Sequence, residues 1–207
     1  MKLDIFTFLS LLASVGLYAQ TTSQIESLVF RKNSVYMVCS GSVQKQGLIA
    51  EHFNIADKNA THVGIGIVVD NNLLIYNVNN DSGAHSALSA ESFNSFTGER
   101  DVRYWSIWEY KATKKQIQTL ATLLKNQLTQ EVEFDMDFDV SNNKLYCSEF
   151  CRNILFTWNP REFAFELTQK KLSPFYIRTL DRETLFYYPV DFFQVNIGFK
   201  KIGESYR

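Results

Sequence analysis

The strongest constraint on the fold is a pair of apolar segments joined by a short polar turn, between residues 61 and 78. In the first segment, THVGIGIVV (residues 61–69), the odd-numbered positions from Val63 onward are apolar and alternate with mostly small or polar residues. A period of two is typical of a β-strand with one face against a core. After the turn Asp70-Asn71-Asn72, the segment LLIYNV (residues 73–78) supplies the returning strand. The sequence therefore predicts a β-hairpin.

Further strand signals occur on both sides of this hairpin. Residues 102–110 (VRYWSIWEY) alternate strongly, whereas residues 28–30 and 176–179 give shorter signals. Residues 42–57 are predicted to form a helix or an irregular excursion. Residues 79–100 are predicted to form a long loop, alone or with a short helix over residues 87–96.

Two segments follow the period of a helix. Between residues 113 and 131, apolar residues recur at intervals of three and four, opposite lysines and glutamines, which predicts an amphipathic helix. A second helix is predicted from about Cys147 to Trp158, where Asn159-Pro160 stops it. With no internal repeat and no linker, one α+β domain accounts for residues 20–207.

The first 19 residues have the pattern of a secretory signal peptide. Lys2 precedes an apolar run from Ile5 to Leu17, which is too short to cross a bilayer of roughly 30 Å as a helix. Ala19 offers a small residue for cleavage, and no cysteine follows closely enough to carry a lipid. We therefore expect export to the periplasm or the extracellular space, a mature chain that begins near Gln20, and no stable transmembrane anchor.

Composition excludes several classes of function. The net charge is −1, from 21 basic and 22 acidic residues, which argues against a nucleic-acid-binding protein or a polybasic membrane-surface protein. The 17 Phe, 10 Tyr and 3 Trp residues supply enough apolar area for a core, although part of them could line an acyl pocket. Three cysteines are too few for a disulfide framework.

Cys147 and His62 are the candidates for catalysis. A cysteine in the first turn of a helix meets unpaired backbone N–H groups and the positive end of the helix dipole, which favour the nucleophilic thiolate. His62 opens a predicted strand, so its ring can project toward a neighbouring helix end. A thiol, an imidazole base and a third group that orients the base are the parts of Cys-His catalysis. Cys39 and Cys151 are expected to fill the core.

No cofactor or metal site is predicted. Asp135, Asp137 and Asp139 have the spacing of a calcium loop, but Val140 and Tyr146 stand where that loop needs Gly and Glu. The sequence contains no glycine-rich phosphate loop, no H-E-x-x-H zinc motif and no G-x-S-x-G elbow.

Three strings carry a family resemblance: THVGIGIV, FDMDFDVSNNKLYCSEF and YYPVDFF. Together they resemble the permuted papain-like cysteine amidases of the YiiX/YaeF type, which are relatives of the NlpC-type cell-wall peptidases. The resemblance implies a circularly permuted papain-like fold, with an antiparallel sheet packed against helices and the cysteine at a helix N-terminus. It also implies that Cys147 is the nucleophile and His62 the general base, in the chain order of the permuted branch.

The resemblance places the third catalytic residue at Asn77, on the strand after the histidine strand. Related sequences often carry an acidic residue there. An amide oxygen can still accept the imidazole N–H, but it stabilises an imidazolium less than a carboxylate does. Either the Cys-His pair is weaker in this chain, or another group such as Glu91 helps.

The expected function is that of an exported thiol hydrolase that cleaves an amide bond, in a cell-wall peptide or in an N-acyl or aminoacyl amide. The resemblance also allows two alternatives. One is a lipid esterase or acyltransferase with the same Cys-His pair, which a long apolar pocket beside Cys147 would favour. The other is a non-catalytic envelope-binding domain. The partner is in each case a small molecule, peptide or lipid of the cell envelope, and the oligomeric state stays open.

Overall fold

A six-stranded antiparallel sheet forms the centre of the protein. The structure is a computed structural model that describes residues 28–43, 52–80, 85–98 and 100–207, so the predicted signal peptide at residues 1–19 lies outside the described residues. The strands are β1 (Ser34–Ser42), β2 (His62–Val69), β3 (Asn72–Val78), β4 (Leu88–Ser92), β5 (Val102–Lys111) and β8 (Lys200–Tyr206), in the order β4-β3-β2-β1-β5-β8. Two short strands, β6 (Thr168–Lys171) and β7 (Thr184–Tyr187), form a separate hairpin.

Four α-helices lie in the described ranges: α1 (Phe93–Gly98), α2 (Lys114–Gln127), α3 (Cys147–Trp158) and α4 (Pro174–Leu180). Helices α2 and α3 share a core with one face of the sheet, and α1 shares a smaller core with the other face. The fold is therefore α+β with helices on both sides of one large sheet. Within the described ranges no helix is both long enough and apolar enough to span a bilayer.

The predicted hairpin is confirmed as β2 and β3. Asp70 and Asn71 adopt positive φ angles of 48° and 66°, the conformation that two-residue hairpin turns require and that Asp and Asn tolerate. The strand predicted at residues 102–110 is confirmed as β5. Both predicted helices are confirmed, as α2 and α3, although α2 is shorter than the predicted span of residues 113–131.

Strand β1 was not predicted, and the strand predicted at residues 28–30 is wrong. β1 lies between β2 and β5 and pairs with both. Its side chains are buried on both faces of the sheet, since Val35 and Met37 belong to the core under α2 and α3 while Tyr36 and Val38 belong to the core under α1. A strand buried on both faces reads as a continuous apolar run without alternation.

The sequence also misassigned the segments that precede and follow the long helices. The strand predicted at residues 176–179 is wrong, because Pro174 stands in the first turn of α4, where its fixed φ favours a helix. Residues 79–100, predicted as a long loop alone or with a short helix over residues 87–96, contain a short helix, α1, which begins at Phe93, and a strand, β4, that was not predicted. No helix forms in residues 52–57, the described end of the segment predicted as helical or irregular.

A buried carboxylate holds the loop that precedes β2. Asp191 is 1% exposed and accepts hydrogen bonds from the backbone N–H groups of Ile55 (2.9 Å), Ala56 (2.6 Å) and Asp57 (2.8 Å). We expect Asp191→Ala to lower the free energy of unfolding by about 2–4 kcal/mol, since three backbone donors lose an ionised acceptor. Urea denaturation measures this. An Asp137→Ala control removes an exposed carboxylate and should change stability by less than about 0.5 kcal/mol; equal effects of both substitutions would contradict the role of Asp191.

Candidate functional site

Cys147 is the first residue of α3, as the sequence predicts. Tyr146 precedes it in an extended conformation, and the cysteine is buried, with 8% of its surface exposed. The start of the helix is held by the backbone of Tyr188, whose N–H donates to the Tyr146 hydroxyl (2.9 Å) and whose carbonyl accepts from the Ser148 hydroxyl (2.7 Å). The string YYPV near the C-terminus thus positions the nucleophile candidate.

His62 is the first residue of β2, and its imidazole lines the same pocket as Cys147 and shifts the pKa of that thiol. Its Nε2 lies 3.1 Å from Oδ1 of Asn77 on β3. The imidazole also stacks on the ring of Phe96 in α1, with 5.3 Å between centroids and 27° between planes. The three residues predicted as catalytic are therefore brought together, and Phe96 limits the rotation of the imidazole.

Gly64 makes room for Asn77 beside His62. His62 and Gly64 are two residues apart on β2 and so lie on the same face of the sheet. A Cβ at Gly64 would lie 2.5 Å from Cγ2 of Ile75 and 3.2 Å from Cβ of Asn77, which is too close for either neighbour. The glycines of THVGIGIV, which gave only a strand signal in the sequence, include one that the site requires.

Glu91, on the edge strand β4, extends the group of Cys147, His62 and Asn77. Asn77 is fully buried, and its Nδ2 donates to Oε1 of Glu91 at 2.9 Å. Oε2 of Glu91 accepts a hydrogen bond from the Ser95 hydroxyl at 2.5 Å. The residue that the sequence offered as a helper of Asn77 is therefore in contact with it.

The two members of the Cys-His pair shift each other's ionisation. Burial alone raises the pKa of the Cys147 thiol, but the charge and hydrogen bond of His62, with backbone hydrogen bonds from Val63 and Ser148, lower that pKa below its ordinary value. Burial alone lowers the pKa of the His62 imidazole, whereas Cys147 and Asn77 and the charge of Glu91 raise it above its ordinary value. Both shifts favour a thiolate-imidazolium pair.

The pKa values of the other two thiols, Cys39 and Cys151, are raised rather than lowered. Cys39 and Cys151 are fully buried, and burial raises the pKa of each thiol well above its ordinary value. Cys151 contacts the carbonyl oxygen of Val63 at 3.8 Å, and neither cysteine forms a disulfide. Both are core residues, as the sequence predicts, and Cys147 is the one of the three whose thiol pKa is lowered.

A pocket of about 280 Å³ opens beside Cys147 and His62. Its walls come from the loop before β2, from the segment before α3 and from the β6–α4–β7 unit. Most of its lining is aromatic or aliphatic: Phe53, Phe96, Val102, Phe134, Met136, Phe138, Tyr146, Tyr176, Leu180, Leu185, Tyr187, Tyr188, Pro189 and Val190. Part of the aromatic surplus of the sequence therefore lines this pocket, and the sequence had left open whether it would.

One buried carboxyl close to the nucleophile candidate was missed. Glu149 lies in the first turn of α3 and is 5% exposed, and burial together with the charge of Asp135 raises the pKa of its carboxyl to about 7. Its Oε2 is buried and has no hydrogen-bond partner among the residues that the structure describes. In the sequence, Glu149 reads as an ordinary acidic residue at a helix start, where such residues are favoured.

The fold and the grouped side chains define a class: an α+β protein with a cysteine at a helix start beside a histidine that is hydrogen-bonded to an asparagine on an antiparallel sheet. No protein-family model matches the chain, and no curated protein is similar to it in sequence.

Among solved structures, the chain is similar to the crystal structure of the metalloprotein YiiX (DUF1105) from Escherichia coli O157:H7. The TM-score is 0.62 at 14% identity, over 87% of this chain and 100% of that chain. At this identity the likeness concerns the fold alone, and the chain has the YiiX-type fold.

The neighbour is called a metalloprotein, which raises the question whether this chain has residues for a metal ion. Within residues 28–43, 52–80, 85–98 and 100–207, no group of three or more His, Cys, Asp or Glu side chains is arranged to hold one. Asp135, which the sequence placed in a failed calcium motif, instead accepts from the backbone N–H groups of Asp137 (2.9 Å) and Asp139 (2.6 Å). The described residues therefore do not fit a metal ion.

Proposed function

We propose that the chain is an exported thiol hydrolase with a permuted papain-like fold, in which Cys147 is the nucleophile, His62 the general base and Asn77 the residue that orients the base. The observation that carries the proposal is the contrast among the three thiols: Cys147 lines a pocket together with the His62 imidazole, which lowers its pKa, whereas burial raises the pKa of Cys39 and of Cys151. The order of His62 before Cys147 in the chain agrees with the permuted branch. Residues 1–19 direct export, and residues 20–207 form the single mature domain.

The reaction is acyl transfer to water in two steps. The Cys147 thiolate attacks the substrate carbonyl carbon, and the His62 imidazolium gives its proton to the leaving amine, which departs as the C–N bond breaks. His62 then takes a proton from water, whose oxygen attacks the thioester and releases the carboxylic acid and the thiol. The backbone N–H of Cys147 at the start of α3 is the candidate donor to the oxyanion; loss of one such donor typically costs about 100- to 1,000-fold in rate.

The pocket narrows the substrate to a compound with an apolar acyl group. An amide of such a group, as in N-acyl compounds, is the leading substrate. A lipid ester is a second candidate for this site, because the aromatic walls beside Cys147 suit an acyl chain better than a polar peptide. In the ester reaction, the leaving group protonated by His62 is an alcohol.

The test is a covalent acyl-enzyme. Purified protein without residues 1–19 is mixed with N-acyl amino acids, aminoacyl amides, cell-wall peptides and p-nitrophenyl esters of increasing chain length, and intact mass is recorded after a rapid acid quench. We expect an added acyl mass, located to Cys147 by peptide mapping, and faster turnover for longer acyl chains up to the capacity of the pocket. Comparison of the amide and ester series then decides between the two leaving groups.

Two outcomes would contradict the proposal. Turnover that persists after alkylation of Cys147 would place the chemistry elsewhere. Tight binding of an envelope compound, without turnover of any substrate in the panel, would favour the non-catalytic binding domain instead.

A further inference from the structure

Glu91 lies directly behind Asn77 and shares a sheet face with it. In the antiparallel pairing of β3 and β4, Ile75 lies opposite Glu91 and Asn77 lies opposite Ser89. Glu91 is therefore the diagonal neighbour of Asn77, within reach of a long side chain on the same face. The resulting contact, from Asn77 Nδ2 to Glu91 Oε1, is 2.9 Å long.

A side-chain amide has two ends of similar shape and opposite hydrogen-bonding character, so something must decide which end faces His62. A carboxylate is an acceptor only, and it can bond the NH₂ end of Asn77 but not the carbonyl end. Glu91 thereby turns Oδ1 of Asn77 toward Nε2 of His62, 3.1 Å away. Nε2 must then carry a proton, because Oδ1 of Asn77 can only accept.

The carboxylate is itself held in place. Its second oxygen accepts from the Ser95 hydroxyl, and the next residue of α1, Phe96, stacks on the imidazole. The segment from β4 to α1 thus contacts both His62 and the residue that orients it.

We propose that Glu91 is a positioning residue of the Cys147–His62 pair, which acts through Asn77 by fixing the orientation of its amide. The inference rests on the proposed roles of Cys147 and His62. It explains how the neutral Asn77 can orient His62: the acidic residue, Glu91, contacts Asn77 rather than His62.

The experiment compares Glu91→Met, which keeps the approximate shape but cannot accept, with Glu91→Gln, whose Oε1 can still accept from Asn77. Each variant is alkylated with iodoacetamide between pH 4 and pH 9, and the His62 imidazole is titrated by NMR, with the unaltered chain as reference. These readouts need no substrate, so they test Glu91 even if the proposed hydrolysis fails.

We expect Glu91→Met to raise the alkylation midpoint of Cys147 by at least about half a pH unit and to lower the His62 midpoint. Glu91→Gln should lie between this variant and the unaltered chain. In an Asn77→Ala background, Glu91→Met should add a smaller shift, because only the direct effect of the Glu91 charge on His62 is left to lose. Glu204→Gln, on β8 at the opposite edge of the sheet, controls for the loss of one negative charge and should leave both midpoints unchanged.

Equal shifts from Glu91→Met with and without Asn77 would overturn the inference, as would a profile that coincides with that of the unaltered chain. If Glu91→Met does not fold, Glu91→Ala takes its place in the same comparison. With a substrate in hand, loss of kcat at unchanged KM in Glu91→Met gives an independent readout of positioning.

Discussion

Replacing Cys147 with alanine is expected to lower turnover by at least about 1,000-fold, since the substitution removes the proposed nucleophile and leaves only binding and oxyanion stabilisation. The neighbouring hydroxyl of Ser148 cannot substitute for the thiol, because it already donates to the carbonyl of Tyr188 at 2.7 Å. Initial rates with the best substrate of the panel measure the loss. Circular dichroism and urea denaturation establish that the variant is folded.

Cys151→Ala is the matched control for Cys147→Ala. Cys151 lies one turn later on the same helix, is fully buried, and has a pKa raised by burial. Its replacement should cost about 1 kcal/mol of stability through lost packing and leave turnover nearly unchanged. Persistent hydrolysis by Cys147→Ala, or loss of hydrolysis in Cys151→Ala, would show that the wrong thiol was chosen.

Local signals explain why the start of α3 and the β2–β3 hairpin could be predicted. A helix that ends at Asn159-Pro160 and a turn made of Asp70 and Asn71 depend on the backbone preferences of a few adjacent residues. Such preferences can be recognised in a single sequence. The placement of Cys147 and His62 at element starts followed directly from them.

Features that depend on distant pairing could not be predicted. β1 is buried between β2 and β5, so its sequence lacks the alternation that marks a one-sided strand. The contact of Glu91 with Asn77 requires the register of β3 against β4, and the sequence predicts only a loop or a short helix where β4 forms. The pocket could not be predicted for a similar reason, because its wall includes residues of α4, which was predicted as a strand.

After the loss of turnover in Cys147→Ala, the second large effect that we expect is on the pH dependence of Cys147 alkylation. We expect the unaltered protein to react with iodoacetamide at pH values below those needed for a free thiol, whose pKa is about 8.5. In His62→Ala, the charge and hydrogen bond that lower the Cys147 pKa are gone, while burial, which raises it, remains. The alkylation midpoint should therefore rise by at least about one pH unit, with an about 10-fold loss of rate at pH 6. His85→Ala, which removes a histidine with a side chain 88% exposed, is the matched control and should leave the profile unchanged.

The lowered pKa of Cys147 and the raised pKa of His62 both favour the thiolate–imidazolium pair that catalysis needs. The thiolate is lost as the pH falls through the lowered Cys147 pKa, and the imidazolium is lost as the pH rises through the raised His62 pKa. The pair is therefore favoured at pH values above the Cys147 pKa and below the His62 pKa. Turnover should follow a bell with its acid limb below the pKa of a free thiol and its alkaline limb above that of a free imidazole. A midpoint near 8.5 that His62→Ala does not move would mean that the two side chains are in contact without sharing a proton, and the hydrolase proposal would fall with it.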